Sequence, residues 1–307
     1  RHSRLIKERQ LMLDDEDSGT QIMAPLFLEA PPRYGSNEEK FNQMNLDESV
    51  KKILTEFADN KLGVWNPPYI HQAEAIEEFL TNGKDLIVTT GTGSGKTEVF
   101  TYSTLGKIAK ESSSPSREEF GIRTLLLYPM NALVSDQLTR IRKMFGINPD
   151  KSMGKNGKSP LEILNNMRGK ESRPFRFAMY TGRTPYHGKY DKDKNNRNLK
   201  GLSEWIIQNS TGELGEKLQE MGRIPQKDMV AFRNEGGRAR KDSFGGSDPK
   251  YRPHIGDTEY LSRQEMLDDD SREYYGGGTP DLLITNYSML EYMLIRPIEQ
   301  PILEDTK

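Results

Sequence analysis

The sequence contains no cysteine, which excludes disulfides and thiolate metal sites. Its four histidines are scattered, without a zinc spacing such as H-E-x-x-H. No apolar run approaches the length of a membrane span, and the opening residues Arg1-His2-Ser3-Arg4-Leu5-Ile6-Lys7 hold no apolar signal segment. On these absences the chain reads as soluble and cytoplasmic. An excess of either charge is missing too: the formal net charge is -2, so there is no global pull toward nucleic acid. Any grip on a phosphate backbone must come from local surfaces. There is no internal repeat. Position 1 is Arg rather than Met, which reads as a chain cut from something longer.

What is present suffices for a buried core in 307 residues. Hydrophobic residues make up 34% and charged residues 29%, and the mean hydropathy is -0.80, so long stretches should be solvated. Residues 1–45 mix charge with Pro31-Pro32 and Asp14-Asp15-Glu16-Asp17 without a sustained period, and read as an arm or irregular cap. From Asp47, Val50, Ile53, Leu54 and Phe57 recur at i, i+3, i+4 and i+7, which predicts a helix buried on one face. Arm and helix make a first segment, 1–63.

A second helix follows Pro67-Pro68, carrying Ile70, Ala73, Ile76, Phe79 and Leu80 and closed at Asn82-Gly83. The apolar, β-branched run 85–90 reads as a buried parallel strand. A helix over 95–110, a strand over 123–128 and a helix bearing Val134, Leu138, Ile141 and Phe145 come next. Further strands are expected at 175–180 and 281–285, the last leading into a helix from Tyr287 that Pro297 stops. This alternation predicts an α/β fold with a parallel sheet, built from 64–185 and 280–307. Between them 186–279, rich in Lys, Asp, Gly and Asn, is a long polar insertion, far above the ~4–6 residues usual for a connection. Apolar spacing over 202–221 suggests a small helical subdomain inside it.

One motif carries chemistry directly. Thr90-Gly91-Thr92-Gly93-Ser94-Gly95-Lys96-Thr97 follows the predicted strand and opens a helix, the setting of a phosphate-binding loop. Its glycines let backbone N–H groups cradle phosphate oxygens at a helix N-terminus, where the dipole favours negative charge. Lys96 would reach the β- and γ-phosphates and Thr97 would hold Mg²⁺, so ATP and Mg²⁺ are the expected cofactors. The pattern departs only at Thr90, where Gly is usual and the demand on the backbone is least.

Neighbouring segments select among the proteins that share this loop. Tyr69-Ile70-His71-Gln72-Ala73-Glu74-Ala75 resembles the adenine-reading Q motif of superfamily 2 helicases. Gln72 would pair with the base edge and Tyr69 would stack on its ring. The strings 128–137 (YPMNALVSDQ), 180–185 (YTGRTP) and 285–290 (TNYSML) look like motifs Ia, Ib and the next DNA-facing motif, each after a predicted strand. Over 69–297 the chain is similar to Lhr-like DEAD/DEAH-box helicases, in particular the N-terminal portion of the large ones in bacterial phage-defence systems of the Druantia and DISARM type. The resemblance implies a RecA-like P-loop NTPase lobe that drives translocation on DNA, single-stranded or at a duplex end, with partner subunits of a defence complex. It also implies that Pro129, Asn131, Thr181, Gly182, Arg183, Thr285 and Asn286 grip the DNA backbone.

Such motors also need an Asp-Glu pair to complete the Mg²⁺ shell and orient the attacking water. No such pair follows the loop on an apolar strand, so the reading is of a first lobe cut before its acidic motif and inactive alone. The acids at 14–17 and 268–270 read as solvated surface, the latter beside Arg263 and Arg272. Lys189, Lys192, Lys194, Arg197 and Lys200 are interleaved with acids and read likewise. Two alternatives stay open: a non-catalytic subunit that binds nucleotide or DNA, and a restriction-type DNA translocase.

Overall fold

The computed structural model describes residues 2–14, 34–146, 158, 160–168, 175–184, 192–225, 227, 229–234, 258–267 and 277–306. The chain divides into two units, Arg1–Gly35 and Ser36–Lys307. In the first, α1 (Ser3–Asp14) buries no residue and carries an Arg4–Glu8 pair one turn apart. An arm or irregular cap was expected there, and the arm is helical: the run of Arg, Leu, Lys, Glu, Gln and Met is made of good helix formers and needs no apolar stripe to coil. Of the acidic cluster, Asp15, Glu16 and Asp17 lie outside the described residues.

The second unit begins with three helices, α2 (Glu48–Asp59), α3 (Ile70–Leu80) and α4 (Lys96–Glu111). The predicted stripe of α2, Val50, Ile53, Leu54 and Phe57, is buried, in one core with Ile76 and Leu80 of α3 and Tyr102, Leu105 and Ile108 of α4. β1 (Thr124–Tyr128) leads into α5 (Asn131–Ile141), and α6 (Pro160–Arg168) precedes β2 (Phe177–Tyr180). The 186–279 segment contains α7 (Lys192–Asn209), α8 (Gly212–Glu220), α9 (Met229–Asn234), β3 (Glu259–Tyr260) and α10 (Arg263–Leu267). β4 (Leu282–Asn286), α11 (Tyr287–Ile295) and α12 (Gln300–Glu304) follow.

The four strands form one parallel sheet in the order β1-β4-β2-β3. It is covered on both faces, as a parallel sheet must be. Leu282 and Ile284 of β4, with Phe177 of β2, face the helical core. Leu283, Ala178 and Tyr180 point the other way, into a second cluster with Met289 and Met293 of α11 and Ile302 of α12. At the sheet's N-terminal end the buried Asp281 ties three strands together: its carboxylate accepts from the Arg176 amide (2.8 Å) and meets Arg168 (3.4 Å) and Arg123 (3.5 Å). Its carbonyl accepts from the Arg123 and Thr124 amides.

The insertion is more than a polar spacer. Leu199, Ile206, Ile224, Met229 and Phe232 close a small core of their own, and β3 then joins the main sheet beside β2. Its root is pinned by buried charge: Arg142 holds Glu259 (2.6 Å), and Lys227 meets Glu265, whose carboxyl is pushed up from its ordinary range by burial. The acids at 268–270, Arg272 and Lys189 lie outside the described residues, while Arg197 and Lys200 of α7 are exposed.

One predicted strand does not form. Residues 85–90 form no regular element and pair with no strand among the described residues, and Ile87 is 92% exposed. An apolar run becomes a buried strand only when neighbours supply its ladder on both sides. The free edge of β1, with Leu125 at 41% exposure, faces this run across a groove of about 750 Å³ lined by Leu86, Val88, Phe100 and Leu125.

Candidate nucleotide and nucleic-acid site

The phosphate-binding loop sits where the sequence predicts, immediately before α4, with Gly95 in the left-handed region (φ 77°) as the helix N-cap. That conformation is open to Gly and costly for other residues. The Thr90 and Ser94 hydroxyls share a hydrogen bond (2.6 Å) that cinches the loop. Lys96 folds back, its ammonium donating to the carbonyls of Thr90 and Gly91, the latter at 2.6 Å. Thr97 lies half-buried in the first turn of α4. Gly91, Thr92 and Gly93 are exposed, so the rim of the loop is accessible.

The segment ahead of α3 meets this loop directly. Gln72 is buried, at 4% exposure, and both ends of its amide are engaged: Oε1 accepts from the Tyr69 amide (2.9 Å) and Nε2 donates to the Gly95 carbonyl (3.0 Å). The Tyr69 ring is partly exposed and stacks on His71 at 5.9 Å between centroids. A cavity of about 650 Å³ joins Tyr69, Gln72 and residues 92–98. Two of its walls were not read from the sequence. Trp65, 64% exposed, offers a second aromatic face. Arg140 reaches in from α5 and pairs with Glu98 and Asp136, each at 3.7 Å. No motif signals Trp65, and Arg140 is legible only as a helical partner of Asp136.

These residues fit a Mg²⁺–nucleotide. The helix start supplies amides that no intrahelical partner uses, Thr97 supplies a hydroxyl, and Lys96 and Arg140 supply positive charge. Among the described residues no group of three or more His, Cys, Asp or Glu could hold a metal on its own, and Thr97 is the residue of this loop that would contribute to holding the ion. For Lys96 to meet a phosphate it would have to leave its two loop carbonyls.

The second group of predicted residues gathers at the C-terminal edge of the sheet, where open α/β sheets bind ligands. Register brings Tyr128 opposite Asn286 and Tyr180 opposite Thr285, so the turns after β1, β4 and β2 stand level. Asn286 caps α11, its Oδ1 accepting from the Met289 amide (2.7 Å), while its Nδ2 donates to Asn131 Oδ1 (2.6 Å) and clamps two turns together. Pro129, Gly182 and Arg183 are exposed. Thr181 is buried, its hydroxyl accepting from the Arg183 amide (3.2 Å), so it shapes the turn from beneath. Thr285 corrects the sequence reading: it is fully buried and donates to the Tyr180 carbonyl (2.6 Å), which removes it from any surface.

Residues 69–206 match the model of the DEAD/DEAH box helicase family. Over 99% of its length the chain is 36% identical to Druantia protein DruE of Escherichia coli (strain UMEA 4076-1), of which it spans 16%. It is 33% identical over 104 residues to ATP-dependent RNA helicase DBP7 of Meyerozyma guilliermondii, covering 34% of this chain and 13% of that protein. It is 39% identical over 69 residues to the uncharacterized ATP-dependent helicase MJ1574 of Methanocaldococcus jannaschii, covering 22% of this chain and 9% of that one. The chain thus spans well under a fifth of each of these relatives.

Proposed function

We propose, from the premise that this chain carries a DEAD/DEAH box helicase domain, that it is the ATP-binding first lobe of an ATP-dependent DNA helicase or translocase serving bacterial defence against phage. The observation that carries the reading is the hydrogen bond from Gln72 to Gly95, which joins the Q-like segment to the phosphate loop in one cavity. In that site the amides at the start of α4, with Lys96 and Arg140, would take the phosphates, Thr97 would take Mg²⁺, and Tyr69 and Trp65 would flank the base. Mg²⁺, when bound, would supply charge neutralisation for the phosphates. The clamp of Asn286 on Asn131, with Arg183 and the N-termini of α5 and α11, would hold the DNA backbone without reading its sequence. The defence role is supported by similarity to DruE and by nothing in the site itself.

Hydrolysis requires a carboxylate to orient water. Among the described residues, β1 and β2 are followed by Pro129 and Thr181 and β4 ends on Asn286, and none of these is acidic. We therefore expect this chain alone to bind nucleotide without turning it over, the carboxylates being supplied by other parts of a longer polypeptide. The test is titration with a fluorescent ATP analogue and Mg²⁺, beside phosphate release with and without single-stranded DNA. Binding that Lys96→Ala weakens at least tenfold, without turnover, supports the reading. Failure of the wild-type chain to bind any nucleotide overturns it. DNA-stimulated turnover would instead show that acids within this chain complete the site.

A further inference from the structure

The nucleic-acid surface has an aromatic residue at its centre to which the sequence motifs assign no role. Tyr287 is the first residue of α11 and is 55% exposed, although it follows directly on the buried strand β4. Its position is fixed from both sides. The preceding Asn286 is held by the Met289 amide and by Asn131, so the helix start cannot shift without breaking the clamp to α5. Because β4 lies between β1 and β2 and the three strands end level, Tyr287 stands between the turn of Pro129 and Met130 and that of Gly182 and Arg183. Met130 is exposed on one side. On the other, Thr181 and Thr184 brace the turn from within, Thr184 Oγ1 accepting from the Thr181 amide (2.9 Å) and donating to the Met179 carbonyl (3.0 Å), which leaves Gly182 and Arg183 outward.

An exposed ring beside an outward guanidinium and two helix N-termini differs from a surface that touches phosphates alone. Phosphate contacts need charge and amides, whereas an aromatic face is useful when a base is free of its pairing partner and can lie on it. We infer that Tyr287 is a stacking platform for an unpaired base, so that this lobe binds single-stranded nucleic acid through one base as well as through its backbone. The inference rests on the nucleic-acid reading of the C-terminal sheet edge given above. Tyr287 also begins the outer face of α11, where Tyr292, Leu294 and Ile295 are exposed. Those residues lie farther along the helix, and on this inference they take no part in base stacking.

The experiment is fluorescence anisotropy at low salt with labelled oligothymidylate and with an oligomer of equal length whose sugars carry no bases, on the wild-type chain, Tyr287→Ala, Tyr287→Phe and Leu294→Ser. We expect wild type to bind the base-bearing strand about tenfold more tightly than the abasic one. Tyr287→Ala should bring that ratio close to one by weakening only the base-bearing strand, while Tyr287→Phe and Leu294→Ser preserve it. A ratio that survives Tyr287→Ala overturns the inference, as does an equal loss in Tyr287→Phe. If wild type binds neither strand, the nucleic-acid reading fails and takes the platform with it. If it binds both equally, the backbone reading stands and the platform alone falls.

Discussion

Gln72 donates its side-chain amide to the carbonyl of Gly95, linking the start of α3 to the residue that turns the phosphate loop into α4. With its oxygen already accepting from Tyr69, the buried amide is committed to the protein at both ends. Gln72→Ala should therefore loosen the loop and weaken ATP and GTP alike, by about fivefold if one hydrogen bond of ~1 kcal/mol is lost. Parallel titrations with both nucleotides check this. A loss confined to ATP would mean that Gln72 leaves these partners to read adenine.

Gly95 and Gly93 separate two costs within one loop. Both have positive φ, but a Cβ at Gly95 would lie 2.3 Å from Gln72 Nε2, while at Gly93 it would meet nothing within 4 Å. Gly93→Ala should cost about 1–2 kcal/mol of stability through local strain. Gly95→Ala should cost more and should also displace Gln72, so its nucleotide affinity falls further than its melting temperature suggests. Thermal melts beside nucleotide titrations of the two variants test the order.

Thr285→Val replaces a buried hydroxyl that donates to Tyr180. The expected cost is about 1–3 kcal/mol of stability, since the Tyr180 carbonyl loses its partner in a dry site. Affinity for single-stranded DNA per folded molecule should not change. Denaturant unfolding and a binding isotherm give both quantities, and a fall in affinity without a fall in stability would return Thr285 to the surface it is here denied.

Alkaline pH should destabilise the helical core through Tyr102. Burial pushes its phenol up to about 12, against a smaller lowering by the hydrogen bond that the Trp65 amide donates to its oxygen. The folded chain then keeps a proton that the unfolded chain sheds near its ordinary value of about 10, so Tyr102 contributes stability fully below that pH and loses it as pH rises through 12. Tyr102→Phe should flatten this loss. Ultraviolet titration of phenolate beside thermal melts between pH 9 and roughly 12 would show it.

Periodicity and motif spacing carried much of the fold. The stripe of α2 is buried residue for residue, and β1, β2 and β4 fall within two residues of their expected starts. The phosphate loop was legible because its glycines answer a backbone demand that no other residue meets cheaply. What failed depended on partners elsewhere in space. Residues 85–90 have the composition of a buried strand, but pairing decides burial, and Ile87 is bare. β3, two residues long, has no period to detect, yet it closes the sheet at β2. Thr285 was misassigned because every residue of β4 is buried, so no alternation marks which side chains escape the core. Trp65 and Arg140 reach the cavity beside the glycine-rich loop from outside any motif.

The position of β4 has a consequence for synthesis. It lies between β1 and β2 in the sheet but is made after both, and Thr124 pairs with Leu282 across roughly 160 residues of chain. At translation rates of about 5–20 residues per second, β1 waits on the order of ten to thirty seconds for its neighbour. During that interval both of its edges are open, and its Leu125-Leu126-Leu127 run is available to any other strand it meets. The insertion that separates β2 from β4 is therefore also a clock, and shortening it would shorten the time for which both edges of β1 stay open.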